Sequence, residues 1–161
     1  MERNTLKKLL FIAYLFLSMT QSYAQKQQFF SFELGGSGGL ASINYERNYQ
    51  EKKNYFLQAR FGFSYGPIDA NNGGVLIFPI MTHAVIGPKN HKIDFGIGQT
   101  LSITTKGNFF ILMPSSIGYR YQPTTKKYYW RFAYTPIFSY LIDFQTQHWG
   151  GITYGFNFSR K

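Results

Sequence analysis

Apolar residues recur at every second position along most of the chain from Phe29 onward, which is the period of a pleated β-strand with two unlike faces. The clearest segment spans residues 55–65, where Tyr, Leu, Ala and Phe alternate with Gln, Arg, Gly and Ser. No stretch shows the three-and-four spacing of an amphipathic helix. Clusters of Gly, Pro, Asn and Lys separate eight such segments, so the pattern predicts an all-β, antiparallel, up-and-down meander of eight strands.

The eight predicted segments differ in length and regularity. They cover residues 30–34, 41–46, 55–65, 75–87, 93–103, 111–121, 128–144 and 151–158. The seventh keeps one apolar phase for 17 residues, interrupted only by Pro136. Pro67, Pro79, Pro114 and Pro136 all fall toward one end of their strands, where the loss of ladder donors predicts bulged or loosely paired strands.

Periodicity alone does not say which face of the sheet points inward. In a soluble, lipocalin-like barrel the apolar face would fill the interior, but eight strands enclose too little space for so many Phe, Tyr, Trp, Ile and Leu side chains. The opposite arrangement places aromatic and aliphatic residues against lipid and small polar residues inside. Closure also pairs every backbone amide, as a hydrocarbon environment requires. We therefore expect a transmembrane β-barrel.

The first 24 residues have the features of a cleaved export signal. Arg3, Lys7 and Lys8 precede an apolar run of nine residues at positions 9–17, and Ser22-Tyr23-Ala24 offers small residues at the cleavage positions. The run is too short for a membrane-spanning helix, which needs about 20 residues, so an N-terminal anchor is disfavoured. The expected organisation is a signal peptide at 1–24, cleaved after Ala24, and a barrel domain at 25–161.

Composition excludes several classes. Aromatic residues make up 20% of the chain and charged residues 15%, a balance that excludes a disordered chain. The absence of cysteine excludes a disulfide scaffold, a thiolate metal site and a cysteine nucleophile. The three histidines have no metal-ligand spacing, and we expect neither a metal nor another cofactor.

Three motifs resemble those of a family of short outer-membrane barrels from Bacteroidetes, which are Gram-negative bacteria. They are residues 118–123 (GYRYQP), residues 131–136 (RFAYTP), and the pair 87–91 (GPKNH) and 94–98 (DFGIG). The architecture is also similar to eight-stranded barrels of the OmpA and OmpX type. The resemblance implies a monomer in the outer membrane, with both termini in the periplasm, and implies no substrate or catalytic residues. It also implies that the barrel-assembly machinery recognises aromatic residues of the last strand, here Phe156 and Phe158.

This topology collects basic residues at the periplasmic end. The chain has 17 Lys and Arg against seven Asp and Glu, a net charge of +10. The predicted basic rim consists of Lys52, Lys53, Lys89, Lys126 and Lys127. Either these lysines attract anionic headgroups of outer-membrane lipids, or turns are simply where charges are tolerated. Nucleic-acid binding is excluded, because the basic residues ring a membrane-embedded rim.

A few charged residues fall inside strands on the polar face and predict a charge network in the lumen. Asp94 is expected between Arg120 and Arg131, and Glu33 is expected to pair with Arg60, because an unpaired buried charge is costly. The network is either a structural plug or the gate of a narrow pore.

The connection after the seventh strand predicts an extracellular hairpin tip, formed by Asp143, Phe144, His148 and Trp149. Such a tip would contact a partner or lipopolysaccharide, or would simply be a rigid hairpin. Asp143 and His148, with Ser139 or Thr146, are the only candidates for a lipid-modifying enzyme, and no nucleophile-base spacing supports them. The favoured interpretation is a non-enzymatic barrel with a structural or surface-interaction role; a narrow pore or transport accessory is the alternative.

Overall fold

Eight antiparallel strands form a closed barrel in chain order in the computed structural model, which describes residues 27–69, 73–139 and 145–159. The strands are β1 (Gln28–Leu34), β2 (Ala41–Lys52), β3 (Tyr55–Asp69), β4 (Gly73–Ile86), β5 (His91–Thr104), β6 (Phe109–Tyr121), β7 (Tyr128–Ser139) and β8 (Gln145–Asn157). β1 pairs with β8, with Phe29 opposite Asn157 and Leu34 opposite Ile152. The predicted eight-stranded meander is confirmed.

The predicted signal peptide and any membrane-spanning helix both concern parts of the chain outside the strands. The signal peptide at 1–24, with its cleavage site at Ala24, lies outside the described residues. Among the residues that are described, no helix has the length and hydropathy to cross a membrane.

The barrel wall separates an apolar outer face from a polar inner face. Large apolar side chains point outward from the strands, for example Phe30 (55% exposed), Ile43 (61%) and Ile97 (60%). Their neighbours on the same strands, such as Ser31 and Asn44, are buried inside. This orientation is the one expected for a transmembrane barrel and the reverse of that expected for a lipocalin-like barrel.

Strand pairing is irregular where prolines were expected to disturb it. The β3–β4 register shifts between Pro67 and Asp69. In the β3–β4, β5–β6 and β6–β7 ladders, short unpaired stretches contain Pro79, Pro114 and Pro136, and the register is the same on both sides of each stretch. The prediction of loosened pairing near these prolines is confirmed.

The two ends of the barrel differ in composition. One end carries the turns after β2, β4 and β6 together with both ends of the described barrel, and contains the predicted basic rim; we call it the basic end. The other end carries the connections after β1, β3, β5 and β7. We call it the glycine end, because residues 35–39 (GGSGG) form the β1–β2 connection there.

Candidate functional site: the barrel lumen

Among the described residues, six buried charged side chains project into the lumen, because each occupies the inward phase of its strand. They are Glu33 on β1, Glu46 on β2, Arg60 on β3, Asp94 on β5, Arg120 on β6 and Arg131 on β7. Each is at most 2% exposed. Three carboxylates thus face three guanidiniums, so these six groups balance in charge.

Glu33 lies beneath the β1–β2 connection and is shared between two arginines. Its Oε1 accepts hydrogen bonds from Arg60 Nη1 and Arg131 Nη1, both at 3.2 Å. The Thr153 hydroxyl donates to the same oxygen at 3.1 Å. The expected Glu33–Arg60 pair is present, and Arg131 extends it across the lumen.

Asp94 lies between Arg120 and Arg131, as the sequence suggested. Arg131 Nε is 3.4 Å from Asp94 Oδ1, and Arg120 Nη1 is 3.7 Å from Asp94 Oδ2. His83 is also buried here, with its Nδ1 2.7 Å from Asp94 Oδ1. His83 is thus an interior histidine, and Asp94 is its hydrogen-bond partner.

Glu46 is a network member that sequence reasoning missed. Its Oε1 accepts hydrogen bonds from Tyr129 Oη at 2.6 Å and Ser31 Oγ at 2.7 Å. Arg60 Nε lies 3.5 Å away, and Arg120 Nη2 lies 3.9 Å from its other oxygen. The signal was available in the sequence, because Glu46 shares the polar phase of its strand with Ser42 and Asn44.

Arg120 closes the network toward the basic end. Its guanidinium lies over the Tyr129 ring, 3.6 Å from the centroid, and donates to Gln58 Oε1 at 2.8 Å. Gln58 Nε2 donates to Asn48 Oδ1 at 2.9 Å, and Asn48 Nδ2 donates to Glu51 Oε1 at 2.8 Å. Polar contacts therefore run without interruption from Glu33 to the basic end.

The β1–β2 connection folds inward and covers the network at the glycine end. Gly36, Ser37 and Gly38 form a short 3-10 turn and are buried. The Ser37 hydroxyl donates to Glu33 Oε2 at 3.4 Å, and Thr100 Oγ1 donates to the Ser37 carbonyl at 3.4 Å. Gly35 has φ +74°, and a Cβ there would lie 2.1 Å from the Gly150 carbonyl oxygen. Glycine is thus required for this backbone to enter the lumen.

The predicted basic rim lies at one end of the barrel. Lys52 ends β2, Lys53 follows it in the turn, and Lys89 lies in the β4–β5 connection. Lys126 and Lys127 precede β7. All five side chains are exposed.

The assignment of His148 and Trp149 to a hairpin tip needs correction. Both lie within β8, opposite Pro136 and Thr135, because β8 begins at Gln145. Residues 145–151 lack the apolar alternation that marks a strand in the sequence, but their backbone pairs with β7 all the same. Asp143 and Phe144 lie outside the described residues.

The structure does not bring His148 together with Ser139, one of the two suggested nucleophiles. His148 Nδ1 hydrogen bonds to the Tyr134 hydroxyl on the outer face, whereas Ser139 belongs by strand alternation to the inner face. Across the described ranges, no group of three or more His, Cys, Asp or Glu side chains is placed to hold a metal ion.

The fold and the filled lumen define a small, closed, eight-stranded barrel with an apolar exterior. Solved structures of this kind are similar to it. The N-terminal β-barrel domain of Pseudomonas aeruginosa OprF matches with a TM-score of 0.56 and 12% identity over 83% of this chain and 96% of that one. The Yersinia pestis outer-membrane protein Ail, in a phospholipid bilayer nanodisc, matches with a TM-score of 0.52 and 10% identity over 83% and 99%.

A second Ail structure, in complex with the heparin analogue sucrose octasulfate, matches with a TM-score of 0.50 and 10% identity over 82% of this chain and 95% of that one. At these identities the likeness establishes the shared barrel fold. No protein-family profile matches the sequence, and no curated protein sequence does either.

Proposed function

We propose that this chain is an integral outer-membrane barrel of a Gram-negative envelope, exported by its signal peptide, with a structural or surface-interaction role and no enzymatic activity. The observation that carries the proposal is the inverted distribution of side chains: the outer face is apolar and the inside is charged. A soluble monomer rarely exposes a continuous apolar surface of more than a few hundred Å². The resemblance of its motifs to short barrels of Bacteroidetes belongs to the same proposal.

The similar barrels support this location and role. The similar part of OprF is its N-terminal β-barrel domain, and the structure of Ail was solved in a phospholipid bilayer nanodisc. Ail also forms a complex with a heparin analogue, which illustrates that a barrel of this fold can bind a ligand. We place the basic end in the periplasm, next to anionic lipid headgroups.

Cell fractionation with paired gel samples tests the proposal. We expect the protein in the outer-membrane fraction, with a band that migrates differently in unheated and heated samples, because a closed barrel resists unfolding by detergent. A soluble periplasmic band without heat modification would contradict the proposal.

A single substitution makes the test sharper. Ile97 is central in β5, points outward and is 60% exposed. Ile97→Arg is harmless on a water-exposed surface, but costs about 2–4 kcal/mol at the middle of a bilayer. We expect lower stability in phospholipid vesicles for Ile97→Arg and none of this loss for Thr125→Arg, a matched change in the exposed β6–β7 turn. Equal stabilities for the two variants would contradict a lipid-facing wall.

The end of β8 is the proposed contact with the barrel-assembly machinery. Phe156 and Phe158 lie on the outer face, and the Phe158 ring stacks on Phe30 with centroids 4.7 Å apart. We expect Phe158→Ala to reduce the yield of heat-modifiable protein in cells, while refolding of the purified variant into vesicles stays efficient. An equal loss in both settings would indicate a packing role only.

A further inference from the structure

A cavity of about 200 Å³ opens at the basic end of the barrel, next to Asn48 and Glu51 of the lumen network. Four lysines line it: Lys52, Lys89, Lys92 and Lys126. Its floor contains the rings of Phe29 and Phe56, which are 1% and 8% exposed. The cavity is thus a cationic opening over an aromatic base, at the mouth of the lumen.

The positive charge of this cavity is only partly compensated by the described protein, because one carboxylate faces four lysines in the lining. Glu51 is the carboxylate in the lining, and its Oε1 already accepts hydrogen bonds from Asn48 Nδ2 at 2.8 Å and from the Gln27 backbone N–H at 3.3 Å. Within residues 27–69, 73–139 and 145–159, none of the four lysines forms an ion pair. A concave site with an excess of one sign of charge raises the local concentration of counter-ions.

Two cations approach the same aromatic ring at the base of the cavity. Lys92 Nζ lies 5.9 Å from the Phe56 centroid, and the Arg120 guanidinium lies 5.3 Å from it. Lys92 and Arg120 are also direct partners across β5 and β6. Like charges opposite each other weaken a sheet. Glu46 and Asp94 offset the Arg120 charge from the lumen side, and an anion in the cavity offsets the Lys92 charge from the other side.

The lining also contains an acceptor without a donor. Gln122 Nε2 donates to Gln27 Oε1 at 3.3 Å, but Gln122 Oε1 is buried without a hydrogen-bond partner in the part of the chain that the structure describes. A buried acceptor gains from a hydroxyl or amine donor. The site therefore offers ammonium groups for an anion, and a rotation of the enclosed Gln122 amide would bring its acceptor to a donor on the same molecule.

We propose that this cavity binds the phosphate group of a hydroxylated phosphate ester. Lys52, Lys89, Lys92 and Lys126 hold the phosphate, and the Phe56 ring packs against the carbon skeleton. Gln122 Oε1 accepts from a ligand hydroxyl once its amide rotates toward the cavity. Glycerol phosphate is the simplest molecule with these features. It exists as a free solute and as the headgroup chemistry of phosphatidylglycerol.

Binding of sn-glycerol 3-phosphate to the full barrel, refolded in an uncharged detergent, tests the proposal without assuming where the protein resides in the cell. We expect saturable binding by isothermal titration calorimetry, and a loss of about tenfold or more in affinity for the double variant Lys92→Gln, Lys126→Gln, which corresponds to about 1.4 kcal/mol. Heat modification of the band verifies that each variant is folded.

The neighbouring lysines supply a matched control. The double variant Lys53→Gln, Lys127→Gln removes the same amount of charge from the turns after β2 and β6. Neither residue lines the cavity. This control should retain the affinity of the unsubstituted protein. Equal losses in both double variants, or binding that does not saturate, would overturn the proposal in favour of a diffuse attraction to the whole rim.

Nanodiscs separate the two sources of the ligand. If the phosphatidylglycerol headgroup occupies the cavity, its addition to phosphatidylcholine nanodiscs weakens glycerol phosphate binding more than an equal charge supplied by a carboxylate lipid. If the two lipids have the same effect, the cavity takes the free solute. Both results support a phosphate-ester site; the absence of glycerol phosphate binding in detergent and in phosphatidylcholine alike would overturn it.

Discussion

The two ends of the barrel close the lumen by different means. At the glycine end the chain folds its own backbone inward, so that Gly36–Gly38 covers Glu33 and the network below it. At the basic end the turns stay outside, and a cavity of about 200 Å³ opens between their lysines. The difference shows that one small barrel can be sealed on one side and open to a small ligand on the other.

The charges at the two ends also have different surroundings. Glu33 has two guanidiniums and three hydroxyls within hydrogen-bond reach. Lys52, Lys89 and Lys126 are exposed lysines for which the described structure provides no carboxylate partner. We therefore expect substitutions beneath the glycine loop to change stability, and substitutions in the basic cavity to change binding.

The largest effect is expected for Glu33→Gln. The amide keeps the size of the side chain but leaves Arg60 and Arg131 without a shared counter-charge, and removing one partner from a buried ion pair costs about 3–5 kcal/mol. Urea unfolding in phospholipid vesicles, followed through the fluorescence of Trp130 and Trp149, measures the loss.

Glu51→Gln is the same chemical change at the basic end. Glu51 is exposed, and exposed charge pairs contribute at most about 1 kcal/mol. Similar losses for Glu33→Gln and Glu51→Gln would remove the distinction between the two ends.

The next largest effect concerns the backbone of the glycine loop. Gly35 and Gly107 both have positive φ, +74° and +86°, so alanine is strained by about 1–3 kcal/mol at either position. A Cβ at Gly35 also meets the Gly150 carbonyl oxygen at 2.1 Å, whereas a Cβ at Gly107 has nothing within 4 Å. Gly35→Ala should therefore lower the unfolding free energy more than Gly107→Ala and should accelerate hydrogen exchange at Ser37. Equal effects would mean that the loop does not depend on its close contact with β8.

The sequence predicted the wall of this barrel better than its lumen. Alternation assigned each strand an outer and an inner face, because lipid-facing positions are mostly apolar and mark the phase clearly. The phase correctly placed Arg120 and Arg131 inside. The apolar phase did not predict that β8 begins at Gln145, since residues 145–151 pair through their backbone without an apolar pattern.

The details of the lumen depend on distances across the barrel, which alternation does not contain. Glu46 had the correct phase but was omitted, because its partners Arg60, Arg120 and Tyr129 lie on three other strands. The run of glycines at 35–39 was interpreted only as a turn, since nothing in a GGSGG sequence distinguishes a loop that projects outward from one that folds inward. The basic cavity depends equally on the relative position of three turns.

The smallest expected effect is a slight gain in stability from Lys92→Met at the basic end. Methionine keeps an apolar stem near Phe56 and removes the charge opposite Arg120. Relief of a like-charge pair across two strands is worth about 0.2–1 kcal/mol. Loss of the long, partly exposed hydrogen bond from Lys92 Nζ to the Gly87 carbonyl costs about 0.5 kcal/mol, so the gain is at most about 0.5 kcal/mol. The gain should shrink in 1 M salt, because screening already weakens the repulsion there. Urea unfolding at low and high salt measures both effects. A clear loss of stability at low salt would show that Lys92 stabilises the fold and is not an unpaired charge kept for anion binding.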